Sequence, residues 1–147
     1  MINYKMIKPK FYYLISLLFI FIVPAGIAAF FVIDRIPLPN LLTFVFGITV
    51  LGSIWDIWAT RHGRRDPIWL WQFNFKDTLG IKLFGLPIEE YIFYVASSLY
   101  IIFIWEGIRF ALETESLLMY ILLPFLGIWS LLLIFIPYII RAKGDKL

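Results

Sequence analysis

Thr78–Tyr94 reads T-L-G-I-K-L-F-G-L-P-I-E-E-Y-I-F-Y. It brings two adjacent carboxylates, Glu89 and Glu90, to the mouth of an apolar run that continues to Trp105. A carboxylate is costly inside hydrocarbon, so an acid found there marks a functional site by default. A plainer role is also open. Pro87 suits the first position of a helix, and acids in the following turn complement the positive end of the helix dipole. Both readings demand the same architecture: a membrane helix that begins at Pro87, with its acids at the bilayer edge.

The rest of the chain agrees. Of 147 residues, 62% are hydrophobic, 20% aromatic and only 16% charged, with a mean hydropathy of +0.89. A soluble domain of this length has no core large enough to hide so much apolar surface, and the apolar residues come in span-length runs. The fold class expected is all-α: a polytopic membrane helix bundle of about four transmembrane helices, with residues 1–147 as one domain. Cysteine is absent, which excludes disulfides, thiolate metal sites and a cysteine nucleophile. One histidine leaves little scope for a histidine metal site. There is no basic nucleic-acid patch. No phosphate-cradling glycine loop, magnesium-holding aspartate-rich pair or dinucleotide fingerprint is present. No metal and no cofactor is therefore expected.

In chain order, residues 1–10 carry Lys5, Lys8 and Lys10, and Phe11–Ile33 follows without a charge. Pro24 is expected to kink this first span. A cleaved signal peptide competes, with Gly26 and Ala28 as small residues before a cut, but the apolar run continues to Ile33 and favours a retained helix. Asp34–Pro39 reads as a turn. Leu41–Trp58 is the second span, with Asp56 near its far end. Residues 60–82 form the sizeable polar connection. Pro87 to about Arg109 is the third span, Glu113 and Glu115 mark a loop, and Leu117–Ile140 is the fourth, containing Pro124 and Pro137. Eleven of the thirteen Lys and Arg residues fall in the two tails and the central connection. By the positive-inside rule these three segments are cytoplasmic. The chain is thus expected to be multi-pass in the cytoplasmic membrane with both termini inside.

Asp56 then lies at the same depth as Glu89 and Glu90, on the neighbouring helix. The two glutamates are about 100° apart around their helix, so one can face the bundle while the other faces a loop, Arg61 or Lys82. Carboxyls in different environments can have their pKa values pushed apart, one becoming a proton donor while the other stays ionised. Asp56 can instead be an interfacial acid paired with Arg61. Trp69, Trp71, Phe73 and Phe75 alternate through the connection, as an interfacial belt or as a wall for a flat polyene that stabilises a carbocation. His62 reads as a surface residue. Glu106 and Arg109 are spaced as a local ion pair. Tyr91 and Tyr94 read as packing or interface residues, with Tyr94 one turn beyond Glu90 and able to hydrogen-bond it.

Taken together, W-D-I-W-A-T-R-H-G at Trp55–Gly63, W-Q-F-N-F at Trp71–Phe75 and the Thr78–Tyr94 stretch resemble the lycopene cyclase domain. This is the small membrane-embedded carotenoid cyclase family of bacteria, archaea and fungi, with the signature P-x-E-E. The resemblance is close over residues 45–105 and extends to the outer helices by hydrophobic pattern. It implies conversion of the ψ-ends of lycopene, or a related linear carotenoid, into β- or ε-ionone rings. An acid protonates the terminal alkene, the next double bond attacks the cation, and a base removes a proton, with no net redox change and no flavin. Pro87, Glu89 and Glu90 match the signature. Asp56 is a weaker match, as a polar partner of the pocket, with Trp55, Trp71, Phe73 and Tyr94 as supporting residues. Active members occur as two non-identical subunits or two fused domains. This sequence holds one P-x-E-E, which leaves a second cyclase subunit, a homodimer or lost catalysis open.

The alternatives come from other classes. One is a non-catalytic carotenoid-binding or assembly subunit whose glutamates only cap the third helix. Another is a small dimeric transporter, which would line a midplane site with polar residues and broken helices. The acids here gather at one membrane edge instead.

Overall fold

The computed structural model describes the backbone of residues 11–63 and 78–144, and side chains over residues 11–60 and 78–135. The chain is an all-α membrane bundle. Four helices are long and apolar enough to cross a bilayer: Tyr12–Arg35, Leu38–Thr60, Ile88–Thr114 and Leu117–Phe135. Each buries less than a third of its most apolar window inside the protein. Phe30, Phe46, Leu51, Leu112 and Leu117 point outward. A surface of this kind suits hydrocarbon and would be an aggregation liability in water.

The first span is composite. α1 (Tyr12–Leu17) runs into a π-helical turn (Leu18–Ile22), then α2 (Val23–Val32) and a 3-10 turn (Ile33–Arg35). Pro24 explains the break, because its ring lacks an N–H and clashes with the carbonyl four residues earlier. The expected kink takes the form of a π turn, in which Val23 N–H bonds to Leu18 O, five residues back. This frees the Phe19 and Ile20 carbonyls. Trp129 Nε1 donates to Phe19 O at 3.0 Å, and Ser130 Oγ donates to Ile20 O at 2.8 Å. The fourth span thus re-satisfies the backbone that proline and the π turn expose.

α3 (Leu38–Gly63) extends beyond the expected Leu41–Trp58. Pro39 is tolerated in its first turn, where N–H groups lack helical partners anyway. A β-hairpin missed by the hydrophobic pattern precedes the third span. β1 (Lys82–Leu83) pairs antiparallel with β2 (Leu86–Pro87), in register Lys82 with Pro87 and Leu83 with Leu86. Its two-residue turn, Phe84–Gly85, has positive φ at both positions, 52° and 92°. Pro87 is the residue before α4 (Ile88–Thr114), not its first helical residue, and has extended geometry. α4 continues past Arg109, so Glu113 is helical. Arg109 bonds Glu106 at 2.9 Å and reaches Glu113 at 3.8 Å, one turn away on either side. Glu115 ends the helix in the left-handed conformation, and α5 (Leu117–Gly144) runs unbroken through Pro124 and Pro137.

α4 is the centre of the bundle, packed by α3, by the first span and by α5. The core joins Ala25, Ala28 and Val32 of α2 with Leu41, Phe103 and Leu126. The two alanines keep α2 close to α4, and van der Waals packing of this kind drives helix association in lipid. α3 and α4 are sequence neighbours joined across one membrane edge. They therefore run antiparallel and bring Asp56 beside the start of α4.

Candidate functional site

Asp56 is 1% exposed, Glu89 0% and Glu90 6%, so three acids lie buried at one end of the bundle. Glu89 and Glu90 occupy the second and third positions of α4. Acidic residues suit the positive end of the helix dipole there. A capping box is ruled out, because the third-position acid would need the N–H of Pro87, which has none.

The helical angle sends the glutamates to different partners. Glu90 faces the bundle, where Tyr13 Oη of α1 donates to its Oε1. Asp56, also buried, stands on the facing helix α3. Glu89 turns to the loop before the hairpin, and its Oε1 accepts the Leu79 N–H. That loop is fastened at three further points. Gly80 N–H bonds Thr78 Oγ1 at 3.3 Å, Ile88 N–H bonds Ile81 O at 3.0 Å, and Tyr91 Oη donates to Leu83 O at 2.9 Å. Pro87 is fully buried beneath them.

Tyr94 does not bond Glu90, although it stands one turn beyond it. Its Oη donates to Asp56 Oδ2 at 2.7 Å. Gly52, one turn before Asp56 on α3, makes the crossing feasible. A Cβ there would lie 2.2 Å from the Tyr94 ring. The structure thus brings Glu90, Asp56 and Tyr94 together, and adds Tyr13. Nothing in the sequence tied Tyr13 to this site, since an aromatic at the start of an apolar span reads as an interfacial anchor. Asp56 Oδ1, Glu89 Oε2 and Ser53 Oγ are buried without a hydrogen-bond donor or acceptor among the described residues.

Trp55 is not part of the cluster. It is 59% exposed and stands against Trp58, ring centroids 5.3 Å apart. Trp69, Trp71, Phe73 and Phe75 lie outside the described residues, as do the side chains of Arg61 and His62. A different set of rings runs along α4 from Tyr94. Phe93 meets Tyr94 at 5.3 Å and Phe21 at 5.6 Å, and Phe21 meets Tyr100 at 5.7 Å, all edge-on. Phe21 is carried on the π turn.

The ion pairs among the described residues, Arg35–Glu113, Arg109–Glu106 and Arg109–Glu113, lie at the opposite end of the bundle. A cleft of about 250 Å³ opens there, between Arg35, Asn40, Glu106 and Arg109. It is remote from the acids. Among the described residues no three acidic or histidine side chains converge to hold a metal ion. The acid end, with its carboxyls buried and two of them bonded to phenols, can donate and accept protons.

Comparison with protein-family models, with curated proteins and with solved structures finds no match.

Proposed function

We propose that the chain is a carotenoid cyclase, or one subunit of one, closing β- or ε-ionone rings at the ψ-ends of lycopene or a related linear carotenoid. The observation that carries this reading is the burial of Glu89, Glu90 and Asp56 together at one end of the bundle, with phenol donors on Glu90 and Asp56. An alkene is a poor base. Its protonation needs an acid in a water-poor site that will not quench the cation. The P-x-E-E resemblance at Pro87–Glu90 points to the same chemistry.

In this mechanism a carboxyl proton adds to the terminal alkene of the ψ-end. The tertiary cation is attacked by the next double bond, which closes the six-membered ring and moves the charge onto it. A carboxylate then removes a proton to leave the ring alkene. One proton is gained and one lost, so the product is an isomer of the substrate. The faces of Phe93, Phe21 and Tyr100 suit both a polyene and a passing cation. The site works in the cytoplasmic membrane with the acid end and both termini inside, as charge distribution favours. It is shared with a second cyclase subunit or a second copy of the chain.

The test is pigment chromatography from lycopene-accumulating bacteria expressing the chain alone, then with a candidate partner subunit. Ring formation by the chain alone means a self-sufficient enzyme, and rings only with the partner mean a half-enzyme. Ring formation is expected to disappear in the Glu89→Gln/Glu90→Gln double variant at normal membrane levels. Unchanged product from that variant sinks the reading. One observation favours a non-catalytic carotenoid-binding subunit: Glu89 is wholly buried and bonded to the loop backbone, as a purely structural acid would be. That reading predicts unchanged lycopene in every arm, with the protein present in the membrane.

A further inference from the structure

Counting donors at the acid end separates the roles of the two glutamates. An ionised carboxylate only accepts hydrogen bonds. Glu90 Oε1 accepts from Tyr13, and Asp56 Oδ2 accepts from Tyr94. The two acids are also close neighbours, since Tyr94 one turn beyond Glu90 reaches Asp56, yet Asp56 Oδ1 has no donor among the described residues. Two ionised carboxylates buried side by side repel, while one shared proton can join them through a short, charge-assisted hydrogen bond. We propose that Glu90 and Asp56 act as one acid holding a single proton between them, that Tyr13 is the positioning residue that aims it, and that Glu89 stands outside the pair and secures the Thr78–Gly80 loop.

The arrangement has a functional logic that rests on the cyclase reading. When the shared proton passes to the alkene carbon, the pair is left with two negative charges. The Tyr13 and Tyr94 hydroxyls already point at them and need no reorganisation, so they favour the transition state more than the resting acid. Three helices supply the four groups: Tyr13 from α1, Asp56 from α3, and Glu90 and Tyr94 from α4. The first span, outside the region that carries the P-x-E-E resemblance, is thereby part of the acid. Glu89 differs in that its Oε1 is already held by the Leu79 N–H.

The proton count can be read without any turnover. Infrared spectra of the full chain in lipid nanodiscs, in light and heavy water, are expected to contain a carbonyl stretch from a protonated carboxyl at neutral pH. Glu90→Gln should remove it and Asp56→Asn should remove or shift it. Tyr13→Phe and Tyr94→Phe should move it to higher frequency by deleting one hydrogen bond each, and Glu89→Gln should leave it unchanged. Absence of the band in the wild-type chain overturns the proposal. So does a band that survives unaltered in both Glu90→Gln and Asp56→Asn.

Ring formation provides the second readout, with the partner subunit included if it is required. Glu90→Gln and Asp56→Asn are expected to lose on the order of 10²-fold or more in rate. Tyr13→Phe should lose about tenfold in kcat with KM unchanged, the size expected for one hydrogen bond to a charged group. A rise in KM or a fall in membrane level without a kcat effect would reduce Tyr13 to a packing residue and overturn its assignment. Spectra that behave as described in a chain that closes no rings would uphold the shared proton and defeat the cyclase reading alone.

Discussion

Gly52 has no side chain, and the Tyr94 ring occupies the space where a Cβ would stand. The hydrogen bond from Tyr94 to Asp56 depends on that gap. Replacing Gly52 by Ala is expected to displace the ring and cost about 1–3 kcal/mol, the usual range for overpacking. Thermal unfolding in detergent would measure it. The cost should fall sharply in a Tyr94→Ala background, because the two residues meet directly. Additive effects in that double-mutant cycle would contradict the packing described. The acids themselves were legible at this scale, since carboxylates beside apolar runs stand out in any membrane sequence. Their partners were not. Tyr94 is one turn from Glu90 on the same helix, and only the Gly52 gap on the other helix redirects it to Asp56.

At the scale of elements, two local features are held by neighbours. The π turn before Pro24 leaves two carbonyls that Trp129 and Ser130 satisfy. Ser130→Ala is expected to destabilise the bundle by about 1 kcal/mol, at the level found for hydrogen bonds between membrane helices. In a Pro24→Ala background the first span can regain regular α-helical bonding and use Ile20 O itself. The Ser130→Ala cost should then vanish, and an undiminished cost would argue against this account. The hairpin offers a gain instead. Phe84 holds a positive φ that asparagine tolerates better, and Asn-Gly is the preferred pair for a two-residue hairpin turn. Phe84→Asn is expected to slow proteolysis of the loop around residues 80–86, and faster cleavage would count against the turn geometry. Neither the π turn nor the hairpin could be drawn from hydrophobic periodicity. A proline inside an apolar run announces a break without its form, and the strands Lys82–Leu83 and Leu86–Pro87 are too short to show alternation.

For the molecule as a whole, four spans put the Thr78–Pro87 segment and the Thr114–Leu117 turn at opposite ends of α4. Because the chain has no cysteine, single introduced thiols report topology cleanly. With a membrane-impermeant maleimide on intact cells, Glu115→Cys is expected to react at once. Ile81→Cys should react only after permeabilisation, as the excess of Lys and Arg on its side requires. Labelling of both from outside would refute the four-span arrangement, and the reverse pattern would invert the orientation.

The sequence by itself determined the class of the protein, the number of its spans and the shared end of the bundle at which its acids gather. These depend on run length, composition and charge placement, which are properties of the chain in one dimension. Only the tertiary structure decided which acid meets which partner. Glu90 turns to Tyr13, Asp56 to Tyr94 and Glu89 to the Leu79 N–H, while Trp55 turns outward. These outcomes depend on the rotation of each helix about its axis and on how closely neighbours approach. Packing sets both, through small residues such as Gly52, Ala25 and Ala28, across contacts between residues as far apart in sequence as Tyr13 and Glu90.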